Sequence, residues 1–161
     1  MNVGLDEERA LILREMERRR SVVDGQRYEA WQPAAALARS SRVRDAAVLL
    51  NRAGVFPRAG DRVLEVGCGK RGWLPDLLAF GVRATDLAAV DLDEVSVAQA
   101  REMLPAADLR TGDASALPFA DASFRIVVAS TIFTSILQAE MRVSVARDIV
   151  RVLQAGGALL W

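Results

Sequence analysis

Histidine is absent from this chain of 161 residues, and cysteine, lysine and tyrosine occur once each. Without an imidazole there is no histidine-based catalytic triad and no zinc chemistry of the usual kind. A lone Cys68 excludes an intrachain disulfide and a multi-cysteine metal site, so no metal centre is expected. Net charge is also lacking, with 21 basic residues against 21 acidic. Residues 1–62 carry 12 arginines against 9 acids, and the remainder 9 basic residues against 12 acids. An imbalance of three charges in each part leaves no footprint for nucleic acid or a membrane surface. Long apolar runs are missing too. The longest uncharged stretch, Ile126 to Ala139, is too short and too rich in Ser and Thr to span a bilayer. The first twenty residues are too charged for a secretory signal. A cytoplasmic protein is therefore expected, of a length that suits one core.

What is present is an alternation of helical and strand patterns. Residues from about Leu5 to Arg20 read as a charged helix with a narrow apolar stripe of Leu5, Leu11, Ile12 and Met16. A connector follows to Gln32, holding Tyr28 and Trp31, which either pack the leader onto the domain or roof a ligand pocket. Pro33 opens a second helix that runs to about Ala53 and ends at Gly54. Val63 to Val66 reads as a short buried strand, and a helix from about Trp73 to Phe80 follows with Pro75 in its first turn. Leu87 to Asp91 is a second strand, Asp93 a helix cap, and Asp108 to Thr111 a third strand. Phe124 to Ser130 is a fourth strand, apolar enough to be covered on both faces. A helix from about Ala139 to Leu153 is broken by Gly156-Gly157, and Ala158 to Trp161 starts a fifth strand. This alternation predicts an α/β doubly wound, mostly parallel sheet, with a helical leader over 1–54 and the sheet domain over 55–161.

Ligands of such sheets bind beyond the carboxyl ends of the strands, where Glu65 to Gly72, Asp91, Asp113 and Ser130 all fall. Gly67-x-Gly69-x-x-Gly72 follows the first strand. On spacing alone it suits a dinucleotide as well as any other nucleotide-like ligand. Glu65 discriminates between ligands. A carboxylate within a buried strand is costly unless it meets a cation, so it would repel a pyrophosphate and accept an ammonium or sulfonium compound. A nicotinamide-nucleotide module is accordingly disfavoured.

Glu65-x-Gly67-x-Gly69 after a hydrophobic strand resembles the first motif of the class I S-adenosylmethionine-dependent methyltransferases, and the resemblance extends over about Val55 to Trp161. It implies a Rossmann-like sheet of strand order 3-2-1-4-5 with S-adenosylmethionine as cofactor. It implies that Glu65, Gly67, Cys68, Gly69 and Gly72 shape the cofactor loop, and that Asp91 accepts hydrogen bonds from the ribose hydroxyls. Asp113 and Ala114 would read the adenine edge and Leu92 would face the ring, while Ser130 either faces the methionine end or simply caps the strand. Tyr28 and Trp31 are the candidates for contacting the acceptor. The chain departs from the family at Arg71, where a third glycine is usual, and at Arg125, where Asp is usual. An Asn-Pro-Pro-aromatic turn, found in enzymes that methylate nucleic-acid bases, is replaced by Ser130-Thr131-Ile132-Phe133. The expected function is methyl transfer to a small-molecule bacterial metabolite; no catalytic residue is named. A non-catalytic cofactor-binding domain acting through a partner chain is the alternative. In the family the fifth strand is followed by a helix and two more strands, whereas this sequence stops at Trp161. Its exposed fifth-strand edge is expected to promote self-association.

Overall fold

The computed structural model of the chain describes every residue except Met1, Asn2, Asp24, Gly25, Arg27, Tyr28, Ala30, Lys70 and Arg71. The expectations for Tyr28 and Arg71 lie outside the described residues. Two long helices come first, α1 (Val3–Val22) and α2 (Pro33–Arg52). They are followed by β1 (Val63–Val66), α3 (Leu74–Ala79), β2 (Leu87–Asp91), α4 (Glu94–Met103) and β3 (Asp108–Thr111). The chain then forms β4 (Phe124–Val128), α5 (Ala139–Val152) and β5 (Leu153–Leu160).

The five strands pair in parallel in the order β3-β2-β1-β4-β5, the order that the family resemblance implies. Side chains alternate across β1, so Val63 joins Leu77, Val97 and Ile126 on one face. Leu64 and Val66 join Val127, Val145 and Ile149 on the other. Each such burial contributes about 1.5–3 kcal/mol, which is why β1 and β2 are wholly apolar except for Glu65 and Asp91. Local signals set the ends of the helices. Pro33 opens α2, Gly54 follows it at φ 69°, and the Asp93 carboxylate accepts the Ser96 N–H to cap α4.

Two boundaries differ from the sequence expectation. β4 stops at Val128, two residues early. Ala129 still donates to the Leu160 carbonyl at 2.9 Å, but Thr131 turns away at φ 62°. The larger correction is at the glycine pair. Gly156-Gly157 does not separate helix from strand, because β5 begins at Leu153, directly after α5. The glycines lie inside β5 as a bulge. Phe124 pairs with Leu153 and Ile126 with Ala158, so two steps along β4 oppose five along β5. Gly156 takes φ 71°, and the Arg125 guanidinium donates to its carbonyl. Arg125, unusual by family pattern, thus has a structural task here.

α1 crosses the carboxyl-end side of the sheet. Leu5 and Ile12 pack on the second core cluster, and Glu8 is 1% exposed, accepting N–H groups of Leu137 at 2.5 Å and Gln138 at 3.3 Å. Arg20 reaches Asp93 at 2.5 Å, and Arg9 pairs with Asp113. No helix among the described residues is long and apolar enough to cross a membrane.

A Cβ on Gly157 would meet the Arg125 and Gln154 carbonyl oxygens at 2.8 and 2.9 Å. Both are backbone atoms and yield little. Gly157→Ala is expected to cost about 1–3 kcal/mol in urea unfolding; a loss below about 0.5 kcal/mol would show that the bulge deforms freely.

Candidate functional site

β1, β2 and β3 end side by side, and each delivers polar groups to one cavity of about 250 Å³. From β1 come Gly67 and Gly69, with φ of 77° and 50°, a left-handed backbone that side-chain-bearing residues rarely adopt. From β2 come Asp91 and Leu92, from β3 Asp113 and Ala114, and from the segment after β4 Ser130, Thr131 and Ile132. The structure therefore brings Gly67, Gly69, Asp91, Leu92, Asp113, Ala114 and Ser130 to one place.

Asp91 is 3% exposed and ties two loops together. Its Oδ2 accepts the Gly69 N–H at 2.7 Å and its Oδ1 the Asp93 N–H at 2.9 Å. Burial raises its carboxyl above the usual range, while these N–H donors act in the opposite direction. With the Leu92 N–H also acting on it, the carboxylate still has acceptor capacity for a further donor such as a hydroxyl. Asp113 caps the short turn Ala114–Ala116, accepting the Ser115 N–H at 2.8 Å and the Ser115 O–H at 2.7 Å.

Glu65, Cys68 and Gly72 lie behind the loop, and none of them lines the cavity. Glu65 is 2% exposed and faces the start of α3, where it accepts the Trp73 N–H at 2.8 Å and the Leu74 N–H at 3.1 Å. A Cβ on Gly72 would lie 2.2 Å from the Glu65 carboxylate, so this glycine is required by close approach. Burial pushes the Cys68 thiol up to about 12, which leaves it protonated and unreactive. Trp31 is 66% exposed and is not among the cavity residues.

α1 is the part of the site that the sequence did not place. Ile12, Met16 and Arg19 wall the cavity together with Met141 and Val145 of α5. The apolar stripe of Ile12 and Met16 was visible, but nothing in the pattern said which surface it covers. A second cavity of about 500 Å³ adjoins the first along α1, with Leu11, Leu137 and Thr134 in its wall. Ile12, Met16, Arg19 and Ser135 border both. Glu15 in this wall is held down to about 2 by hydrogen bonds from Arg18 and Arg19.

The family model for the methyltransferase domain matches residues 63–157. The chain belongs to the class I S-adenosylmethionine-dependent methyltransferase family. A probable S-adenosylmethionine-dependent methyltransferase of Mycolicibacterium smegmatis is 37% identical over 102 residues, covering 63% of this chain and 37% of that protein. The demethylmenaquinone methyltransferase of Beutenbergia cavernae is 33% identical, covering 64% of this chain and 40% of its own length. The chain thus spans about two fifths of the curated relatives it matches. Among solved structures, a Pyrococcus horikoshii protein superposes with a TM-score of 0.65 at 23% identity, covering 89% of this chain and 63% of that one. A methyltransferase of Methanosarcina mazei gives 0.60 at 22% identity, covering 70% and 54%. Both show the same fold.

Burial pushes the Glu65 carboxyl up to about 8, against the pull of the Trp73 and Leu74 N–H groups. The folded chain then keeps a proton that the unfolded chain releases near 4.5. Its contribution to stability is complete below about 4.5 and is lost as pH rises to about 8. Glu65→Gln lacks this titration, so its stability relative to the unmodified chain is expected to rise across that window. Urea unfolding at intervals of pH checks it; a gap independent of pH would show that the N–H donors fully offset burial.

Proposed function

We propose that the chain carries the cofactor-binding part of an S-adenosylmethionine-dependent methyltransferase whose acceptor is a small molecule. The observation that supports it best is the convergence of Gly67, Gly69, Asp91 and Asp113 around one cavity at adjacent strand ends. Residues 55–161 form the cofactor-binding unit in this reading, and 1–54 lead into it.

The donor set fits the cofactor. Asp91, buried at the cavity wall and with acceptor capacity remaining, would take the ribose hydroxyls. Asp113 would accept from the adenine amino group while the Ala114 N–H donates to the ring. The glycine loop lets the backbone approach without a Cβ, and Ser130 faces the same cavity for the methionine end. When bound, the cofactor supplies a methyl group on a sulfonium, already a strong leaving group. The residues of this chain then have to orient the acceptor and keep water out. Positioning of this kind can lower a barrier by about 7–11 kcal/mol. Ile12, Met16 and Ile132 supply the apolar wall for it.

The adjoining cavity, at about 500 Å³, is within the range of small-molecule sites. Its wall of Leu11, Ile12, Met16 and Leu137 suits an apolar acceptor. Its two carboxylates are engaged, Glu8 by backbone N–H groups and Glu15 by arginines. The acceptor's nucleophile therefore has to lose its proton without help from them. The curated relatives include proteins named for demethylmenaquinone and 27-O-demethylrifamycin SV, which supports a small-molecule acceptor without choosing one.

Titration calorimetry with S-adenosylhomocysteine tests the cofactor assignment. Asp91→Ala is expected to weaken binding by about 1.5–3 kcal/mol, the loss of hydrogen bonds to a charged group. Unchanged affinity in a variant that keeps its circular dichroism would sink the assignment.

A further inference from the structure

The carboxylate proposed to read adenine is already in use. Arg9, nearly two turns into α1, donates from Nε to Asp113 Oδ2 at 2.5 Å, and its Nη2 pairs with the same oxygen. Nη2 also reaches the Ser115 hydroxyl at 3.4 Å. Asp113 already takes the Ser115 N–H on Oδ1 and the Ser115 O–H on Oδ2. Three groups therefore converge on Oδ2, and of the four acceptor positions of a carboxylate only one, on Oδ1, is uncommitted. Any further donor shares negative charge that the guanidinium has largely neutralised.

Arg9 also has somewhere else to go. Its Nη1 touches Asp6 Oδ1 at 2.5 Å, one helical turn away. Asp6 is 54% exposed whereas Asp113 is 16% exposed. A small side-chain rotation would move the whole guanidinium onto Asp6 and free Asp113, without leaving the cation unpaired. α1 need not detach for this. Glu8 stays on the Leu137 and Gln138 N–H groups and Arg20 on Asp93, and neither contact involves Asp113.

We propose that Arg9 is a built-in competitor for the adenine subsite, holding Asp113 in the free chain and passing to Asp6 when an adenine amino group takes its place. This inference rests on the cofactor reading above. The exchange sets affinity and selectivity together. A ligand with an amino donor at the adenine edge displaces Arg9, whereas one lacking it leaves the ion pair in place. Arg9 thereby lowers affinity for every adenosyl ligand by the strength of one partly exposed ion pair.

The test is calorimetry of the full chain with S-adenosylhomocysteine and with its inosine analogue, which has a carbonyl where adenine has the amino group. Arg9→Ala is expected to bind S-adenosylhomocysteine about 3-fold to 5-fold more tightly than the unmodified chain. The inosine analogue should gain less. Arg20→Ala removes an ion pair from the same helix but not from Asp113, and should stay within about twofold. In nitrogen–proton spectra the Arg9 Nε–H signal should shift when S-adenosylhomocysteine saturates the chain. Equal or weaker binding by Arg9→Ala, or an unmoved Arg9 signal, overturns the competition while leaving the cofactor reading intact. An equal gain in Arg20→Ala overturns the local exchange in favour of release of the whole helix. Failure of every variant, Arg9→Ala included, to bind S-adenosylhomocysteine overturns the cofactor reading itself.

Discussion

The glycine loop is held between two buried carboxylates, and the geometry of the site depends on that clamp. Glu65 grips it from behind through the Trp73 and Leu74 N–H groups, and Asp91 from the cavity side through the Gly69 N–H. Neither contact is a side-chain ion pair. Backbone donors satisfy both acids, so the loop is fixed by its own main chain. Gly72 completes the arrangement, because any larger residue would collide with Glu65.

The charge at the strand ends follows from the same layout. Asp91 and Asp113 line the cavity while Asp93 caps α4 outside its wall, and arginines of α1 meet Asp113 and Asp93. A helix that reads in isolation as a solvated leader thus acts as the counter-charge of the site. Arg39 of α2 does a similar service for Asp76 at the start of α3, at 2.8 Å. With a single lysine in the chain, arginine supplies the cation in these contacts, and its planar fork serves two acceptors at once in Arg9 and Arg151.

Helix limits and strand spans were legible because each has a short-range cause, and the strand order came with the resemblance carried by Glu65-x-Gly67-x-Gly69. Pro33 fixes a helix start, Asp93 a cap, and the apolar runs of β1, β2 and β4 mark strands covered on both faces. What escaped depends on distant partners. Gly156-Gly157 reads as a break in one dimension, and only the register against β4 shows it to be a bulge. In sequence Glu65 reads as facing a cationic ligand, since nothing local shows that its carboxylate turns toward a helix start eight residues on. The position of α1 was invisible for the same reason. Its ion pairs join residues 73 and 104 positions apart, and no local pattern encodes such a pairing.

Those separations have a consequence for the order of events on the ribosome. α1 is synthesised before any strand, yet Asp93, Asp113 and Leu137 emerge long after it, the last of them 129 residues behind Glu8. At about 5–20 residues per second that gap is several seconds or more. Until it closes, Leu5 and Ile12 have no core to meet, and Glu8 has no N–H partners from the Leu137 segment. α1, made before the strands it packs on, is thus among the last elements of this unit to be seated. Its high charge density suits that interval, because a charged segment stays in water without a partner.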